Sequence, residues 1–394
     1  MTTRAMTTSY ARGAHEALPL IPITKPYLGE EEAEAAAQAI RTGWVAQGPL
    51  VAAFERALTE RLGVKHVVAT SNCTTALHLA LICAGVGPGD EVIVPSFTFI
   101  ATANAVLYVG ARPVFVDIDR QTYNIDPALV EAAITPRTKA LIPVDQIGLA
   151  AELDPLLEIA RRHDLHVIED AAPALGATYH GRPIGSISPV TCFSFHPRKS
   201  ITTGEGGVIT TNDDAVAARA RVIRSHSASV SDLARHHASS VMIEAYEELG
   251  YNYRMTDIQA AIGIEQLKKF DFILAQRMRL ADRYATLLAS IDGVSTPYAP
   301  TYAPHTYQSY CVRLDPARVA PREEIMQRML ELGVATRRGV MAIHEEPFYV
   351  ARFGQVSLPE TEAATRETLL LPLFATMTTA EQDRVVAALQ QSLG

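Results

Sequence analysis

Apolar residues in this chain fall into short, nearly continuous runs between Val64 and Thr211: "VKHVVAT", "EVIVPSF", "RPVFVDI", "KALIPV", "LHVIED", "TCFSF" and "GGVITT". Each is rich in β-branched or aromatic residues and too short for a helix, so seven strands are expected. Most are separated by stretches with apolar residues three and four apart, such as "TTALHLALICAG" and "DPLLEIARRH", which predict amphipathic helices. Strands that are apolar throughout need cover on both faces. The alternation therefore predicts an α/β domain around a mostly parallel sheet. Turn-forming clusters, "GVGPGDE" and "DRQTYNIDP", punctuate the elements.

The texture changes after about Asp257. "DIQAAIGIEQLKKFDFILAQRMRLADRYATLLASI" predicts one long helix. Strands are expected in "TYQSYCVRL" and after Gly333, and helices in "REEIMQRMLELG" and "TAEQDRVVAALQQSL". The expected division is a disordered tail over residues 1–20, a large α/β domain over 21–260, and a smaller α+β domain over 261–394. The polar segment Ser225–Glu248 is expected to be a surface loop or flap.

Composition narrows the function. At 394 residues and 48% hydrophobic, the chain can bury the cores of two domains. A net charge of −8 without a basic run argues against nucleic acid or an anionic membrane as partner. No apolar run approaches the roughly 20 residues of a membrane span. Cys73, Cys83, Cys192 and Cys311 have neither paired nor metal-ligand spacing, so reduced thiols and a cytoplasmic location are expected. His226, His236 and His237 likewise lack metal spacing, and no metal is expected.

Candidate chemistry centres on "CFSFHPRKSITTGEGG". Lys199 follows a strand, Ser194 lies five positions earlier, and Gly204–Gly207 free the backbone for close approach to a ligand. A lysine there is ordinarily solvated. In a partly desolvated pocket, however, its amine becomes a nucleophile able to form a Schiff base. Asp170 ends "LHVIED" at a strand's carboxyl end, where open α/β sheets bind ligands. Its plain reading is a helix N-cap ahead of "DAAPALGA"; its chemical reading is a partner for a protonated ring nitrogen. With Lys199 it makes the pair that a pyridoxal phosphate (PLP) enzyme needs. In "TSNCTTALHLAL" a helix beginning near Thr74 offers free N–H groups to a phosphate. Glu169 is expected on the opposite strand face in a structural role.

These segments, together with "TGWVAQGP", "VIVPSFTFIATANAV" and "GYNYRMTDIQAAIG", resemble the DegT/StrS-type nucleotide-sugar aminotransferases within the fold-type-I PLP-dependent transferases. The resemblance implies that Lys199 forms the internal aldimine and shuttles the proton, and that Asp170 holds the pyridine nitrogen. It implies that Phe99 stacks on the ring, and that Ser194, Cys73 and Thr74 cradle the phosphate. Asn252 is implied to reach the cofactor of a second subunit, making a homodimer with its active site at the interface. Substrate contacts are expected from Trp44, Arg254, Arg337, Arg338 and His344. The implied reaction moves an amino group from an amino acid, by analogy L-glutamate, to a keto sugar, a nucleotide-linked keto-deoxyhexose. The alternatives are a keto-cyclitol acceptor or a non-catalytic sensor with the same fold. Two positions depart from the pattern: Pro173 stands where many relatives place Gln or His, and Asp145 where many place His.

Overall fold

The computed structural model describes residues 19–230 and 243–394. The expected tail lies outside the described residues except for its last two positions. The middle of the expected loop, with His236 and His237, also lies outside them.

All seven apolar runs are strands of one sheet. In chain order, β1 is His66–Thr70, β2 Glu91–Pro95, β3 Arg112–Val116, β4 Thr138–Leu141 and β5 His166–Asp170. A small hairpin, β6 (Thr178–Tyr179) and β7 (Arg182–Pro183), precedes β8 (Val190–Ser194) and β9 (Gly207–Thr211). The sheet order is β1-β9-β8-β5-β4-β2-β3. Every pairing is parallel except the two made by β9, which runs against its neighbours β1 and β8. Strands β2 and β8 are buried at every position, as strands covered on both faces must be. Successive side chains go to opposite faces: Ile93 and Phe193 join a core with Phe54, Leu58 and Phe270. Val92, Val94 and Cys192 join another with Leu77, Leu81 and Ile168.

This topology gathers the chemistry. Six strands point the same way, so Thr70, Pro95, Asp170 and Ser194 end at one edge of the sheet, where the reversed β9 begins at Gly207.

The second sheet comprises β10 (Val294–Ser295), β11 (Tyr310–Leu314), β12 (Arg337–Arg338) and β13 (Thr368–Leu371), antiparallel in the order β10-β11-β13-β12. Tyr284, Tyr310, Leu369, Leu371, Val385 and Leu389 form its core. Ile21 packs there too, its N–H donating to the Gly333 carbonyl at 2.9 Å.

The helix Asp257–Leu288 connects the sheets. Its 32 residues make a rod about 48 Å long at 1.5 Å per residue, and the division expected near residue 260 falls within its first turn. Thr256 and Gln259 cap it reciprocally: the Gln259 N–H donates to Thr256 Oγ1 at 3.2 Å and the Thr256 N–H to Gln259 Oε1 at 2.9 Å. Asp257 accepts the N–H groups of Gly48, Leu50 and Val51 at 2.8–3.0 Å, anchoring the start of the helix Pro49–Leu62. Arg277, at mid-rod, is buried without a carboxylate partner among the described residues. Its Nη1 donates to the carbonyls of Tyr307 (3.1 Å), Gln308 (3.1 Å) and Leu373 (3.4 Å), and burial lowers its pKa to about 10. No helix among the described residues is long and apolar enough to cross a membrane.

Candidate active site

A cavity of about 830 Å³ opens at the gathered strand ends, and residues of β12 and β13 close its far side. Lys199, Asp170, Ser194, Cys73, Thr74, Phe99 and Arg338 all line it. Arg337 lines it as well, so eight residues nominated from the sequence share one space.

Asp170 closes β5 and is buried. Residues 171–177 form turns and no helix, so the N-cap reading does not apply. Its Oδ2 accepts the Thr102 hydroxyl at 2.7 Å and its Oδ1 the Ala172 N–H at 3.2 Å. Burial raises its pKa; the two hydrogen bonds and the Lys199 charge oppose that rise without cancelling it. A carboxyl group so poorly compensated gains strongly from a cation placed beside it.

Lys199 has no carboxylate within ion-pair distance among the described residues. Its backbone N–H is fixed to the His196 carbonyl at 2.8 Å. Burial lowers its pKa, against the pull of Cys73 and Asp170 and with the help of the Arg198 charge. More of the amine is then neutral at ordinary pH, the form that attacks a carbonyl.

The start of the helix Cys73–Cys83 faces the same space. Asn72 caps it, its Oδ1 accepting the Thr75 N–H at 2.9 Å. The Cys73 and Thr74 N–H groups remain without acceptors among the described residues, and Ser194 lines the same cavity. A Cβ on Gly207 would stand 2.5 Å from the Cys73 nitrogen and the Asn72 carbonyl carbon, so only glycine lets β9 pass this close. Phe99 is 60% exposed, and its ring borders the cavity. Free helix-start donors and a hydroxyl suit a phosphate, a buried carboxyl suits a ring nitrogen, and a desolvated amine suits an aldehyde. The residues present fit PLP.

Four nominated residues lie outside the cavity. Asn252 is exposed and bridged through its backbone to Ser225. Trp44 is half-buried, its Nε1 donating to the Gln47 carbonyl at 3.0 Å. Arg254 is half-buried and does not reach the lining. His344 is buried, with Nδ1 at 2.7 Å from Ser96 Oγ and Nε2 at 3.6 Å from Glu362. With Glu345 it forms the one cluster of metal-ligating type among the described residues, and Arg366 stands 3.9 Å from both carboxylates.

Sequence reasoning passed over several lining residues. Thr102 positions Asp170. Gln146 is buried, its Nε2 donating to the Phe97 carbonyl and its N–H to Asn124 Oδ1 at 2.8 Å. Ile147 beside it holds φ at +62°, costly for a β-branched residue. Arg198, His196, Glu205 and Gln308 also face the cavity. At the departure noted in the sequence, Asp145 is buried behind Asp170. Its Oδ1 accepts the Ala151 N–H at 2.8 Å, and its second oxygen faces Glu169. Glu169, on the strand face away from the cavity, accepts the Thr191 hydroxyl at 2.8 Å. Burial raises both pKa values, and a shared proton would satisfy Asp145 Oδ2 and Glu169 Oε1, which have no other hydrogen-bond partner among the described residues.

A profile of the DegT/DnrJ/EryC1/StrS aminotransferase family matches residues 26–390. GDP-perosamine synthase of Caulobacter vibrioides is 44% identical over 378 residues, covering 95% of this chain and 99% of that protein. The crystal structure of S. venezuelae DesV in complex with a ketimine intermediate superposes with a TM-score of 0.87 at 34% identity, covering 95% of this chain and 98% of that one. The PLP form of the Streptococcus pneumoniae protein Spr1654, described as a putative sugar aminotransferase, does so with a TM-score of 0.88 at 28% identity, covering 95% and 98%.

Proposed function

The chain belongs to the DegT/DnrJ/EryC1/StrS family of PLP-dependent sugar aminotransferases, and from that premise we propose that its cavity moves an amino group from L-glutamate to a nucleotide-linked keto-deoxyhexose. The observation that carries the reading is the meeting of Lys199 and Asp170, from separate strand ends, in a cavity with free helix-start donors. PLP, when bound, supplies an aldehyde for amine capture and a ring that accepts electrons.

The chain's own residues do the rest. The Cys73 and Thr74 N–H groups and the Ser194 hydroxyl hold the phosphate. Phe99 covers one ring face. Asp170, fixed by Thr102, keeps a positive charge on the ring nitrogen. Lys199 Nζ would hold the cofactor and, as a free amine, would take the proton from the donor's α-carbon and deliver it to the carbon that had carried the cofactor's aldehyde. Donor and acceptor enter the same cavity in turn, which gives ping-pong kinetics. Asn252, outside the cavity of its own chain, is assigned to the cofactor of a second copy in a homodimer.

Incubation with PLP should give a visible absorption band that L-glutamate bleaches with release of 2-oxoglutarate. A nucleotide-linked keto sugar should then restore the band. Restoration by a keto-cyclitol alone would reject the nucleotide-sugar reading, and a band indifferent to glutamate would reject transamination. Lys199→Ala should fold normally, trap no cofactor under borohydride and show no turnover.

A further inference from the structure

Although histidine and cysteine spacing suggests no metal, His344 carries a ring nitrogen with nothing to hold. The residue is 3% exposed, and its Nε2 is buried without a hydrogen-bond partner among the described residues. The other ring nitrogen, Nδ1, is 2.7 Å from Ser96 Oγ, which also accepts the His344 backbone N–H at 3.0 Å. With Nδ1 protonated and donating to Ser96, Nε2 presents a bare lone pair, the arrangement usual in a metal-ligating histidine. That lone pair faces carboxylates. Glu362 Oε1 lies 3.6 Å away, beyond hydrogen-bond reach. An oxygen of Glu345 joins them, and the three ligand atoms fall within 4.8 Å of one another.

A lone pair opposed to two carboxylates is repulsive unless a cation stands between them. Arg366 is the cation at hand, but its side chain is 63% exposed and 3.9 Å from each carboxylate, where solvent screens most of the attraction. Glu362 is held ionised: the Leu358 N–H, donated at 2.9 Å, lowers its pKa against the cost of burial, with help from His344 and Arg366. Zinc takes imidazole nitrogen and carboxylate oxygen at about 2.0–2.2 Å in a tetrahedral array, which sets neighbouring donors about 3.4 Å apart. The 3.6 Å between Nε2 and Glu362 is close to that spacing. Rotation of the exposed Glu345 side chain completes the three, and water fills the fourth position. We propose that His344, Glu345 and Glu362 form a zinc site. It lies outside the cofactor cavity and does not depend on the function proposed above. Two elements meet there. The turn Ile343–Glu345 is tied to the end of β2 by the Ile343 N–H, which donates to the Ser96 carbonyl at 3.0 Å. The helix Pro359–Glu367 is tied to the end of β3 by the Glu360 and Thr361 N–H groups, which donate to Asp117 at 3.0 and 2.8 Å. A bound ion therefore fastens the large sheet to the helix that leads into β13.

The test uses the PLP-loaded full chain, freed of metal by a chelator and titrated calorimetrically with zinc chloride. The wild type should bind one equivalent per chain at this site, with a rise in Tm. Substitution of buried His344 endangers the fold, so the decisive variants are Glu345→Gln, at the surface, and Glu362→Gln, which keeps an acceptor for the Leu358 N–H. Each should raise the zinc Kd at least tenfold and remove the zinc-dependent rise in Tm, with circular dichroism unchanged. Arg366→Ala removes the competing cation and should bind zinc at least as tightly as the wild type. Zinc that both glutamine variants hold within twofold of the wild type is held by thiols or by the cofactor, and that result overturns the proposal. A wild type that takes up no zinc, leaving the three side chains an ion-pair cluster, overturns it equally, as does weaker binding by Arg366→Ala.

Discussion

Thr102→Val isolates the group that holds the ring-facing acid. The Thr102 hydroxyl lies 3.0 Å from Thr98 Oγ1 and donates to Asp170 Oδ2 at 2.7 Å, all in buried surroundings. Valine keeps the shape and removes the donor, leaving Asp170 with the Ala172 N–H at 3.2 Å. A hydrogen bond to a charged group contributes about 1.5–3 kcal/mol. One pKa unit corresponds to about 1.36 kcal/mol, so the Asp170 pKa should rise by about 1–2 units. Burial has already raised it, and both effects favour the protonated form. The role assigned to Asp170 needs the ionised form, so the acid limb of the donor half-reaction should move to higher pH by that amount. The assay is stopped-flow bleaching of the holoenzyme band by saturating glutamate from about pH 5.5 to 9. Thr102→Ser should restore the wild-type limb, because it returns the donor. A limb that stays in place, or moves to lower pH, would refute the assignment of Asp170 as the ionised partner of the ring.

Gly207→Ala should force β9 and the helix start apart, since the new methyl would meet backbone atoms at 2.5 Å. Such overpacking costs about 1–3 kcal/mol, so PLP affinity should fall roughly tenfold or more, while pyridoxal, which lacks the phosphate, binds as before in equilibrium titrations. Asp145→Asn tests the shared proton. A carboxyl whose folded pKa is raised stabilises the fold at low pH and loses that contribution as pH climbs above its unfolded value near 4. Both carboxyls of the pair are raised, and the amide introduced by the substitution would donate to Glu169 without a shared proton. The Tm of the variant should therefore decline less with rising pH and exceed wild type at alkaline pH; a parallel decline in scanning calorimetry would contradict this.

The strands of the large sheet were readable because burial on both faces makes them apolar throughout, a pattern that survives without knowing their neighbours. β13 was not: four residues, "TLLL", directly follow a helix, and only pairing with β11 and β12 makes them a strand. The same distinction governs the site. Lys199, Asp170 and Cys73 carry local signals: a strand end, a glycine cluster, a helix start. Thr102 carries none, since it matters through a carboxylate 68 positions away. His344 was expected to contact substrate, yet Ser96 and Glu362 enclose it. That enclosure depends on Ser96, 248 positions away in the chain, which no local window contains.

Arg277 touches no ligand, yet two of the three carbonyls it grips belong to Gln308 and Leu373, which form part of the cavity lining. Its cationic head acts as a clasp, fastening the rod to loops that face the reactants. Substitution there would reshape the chamber from behind, so selectivity can drift through a position that no inspection of bound molecules would nominate.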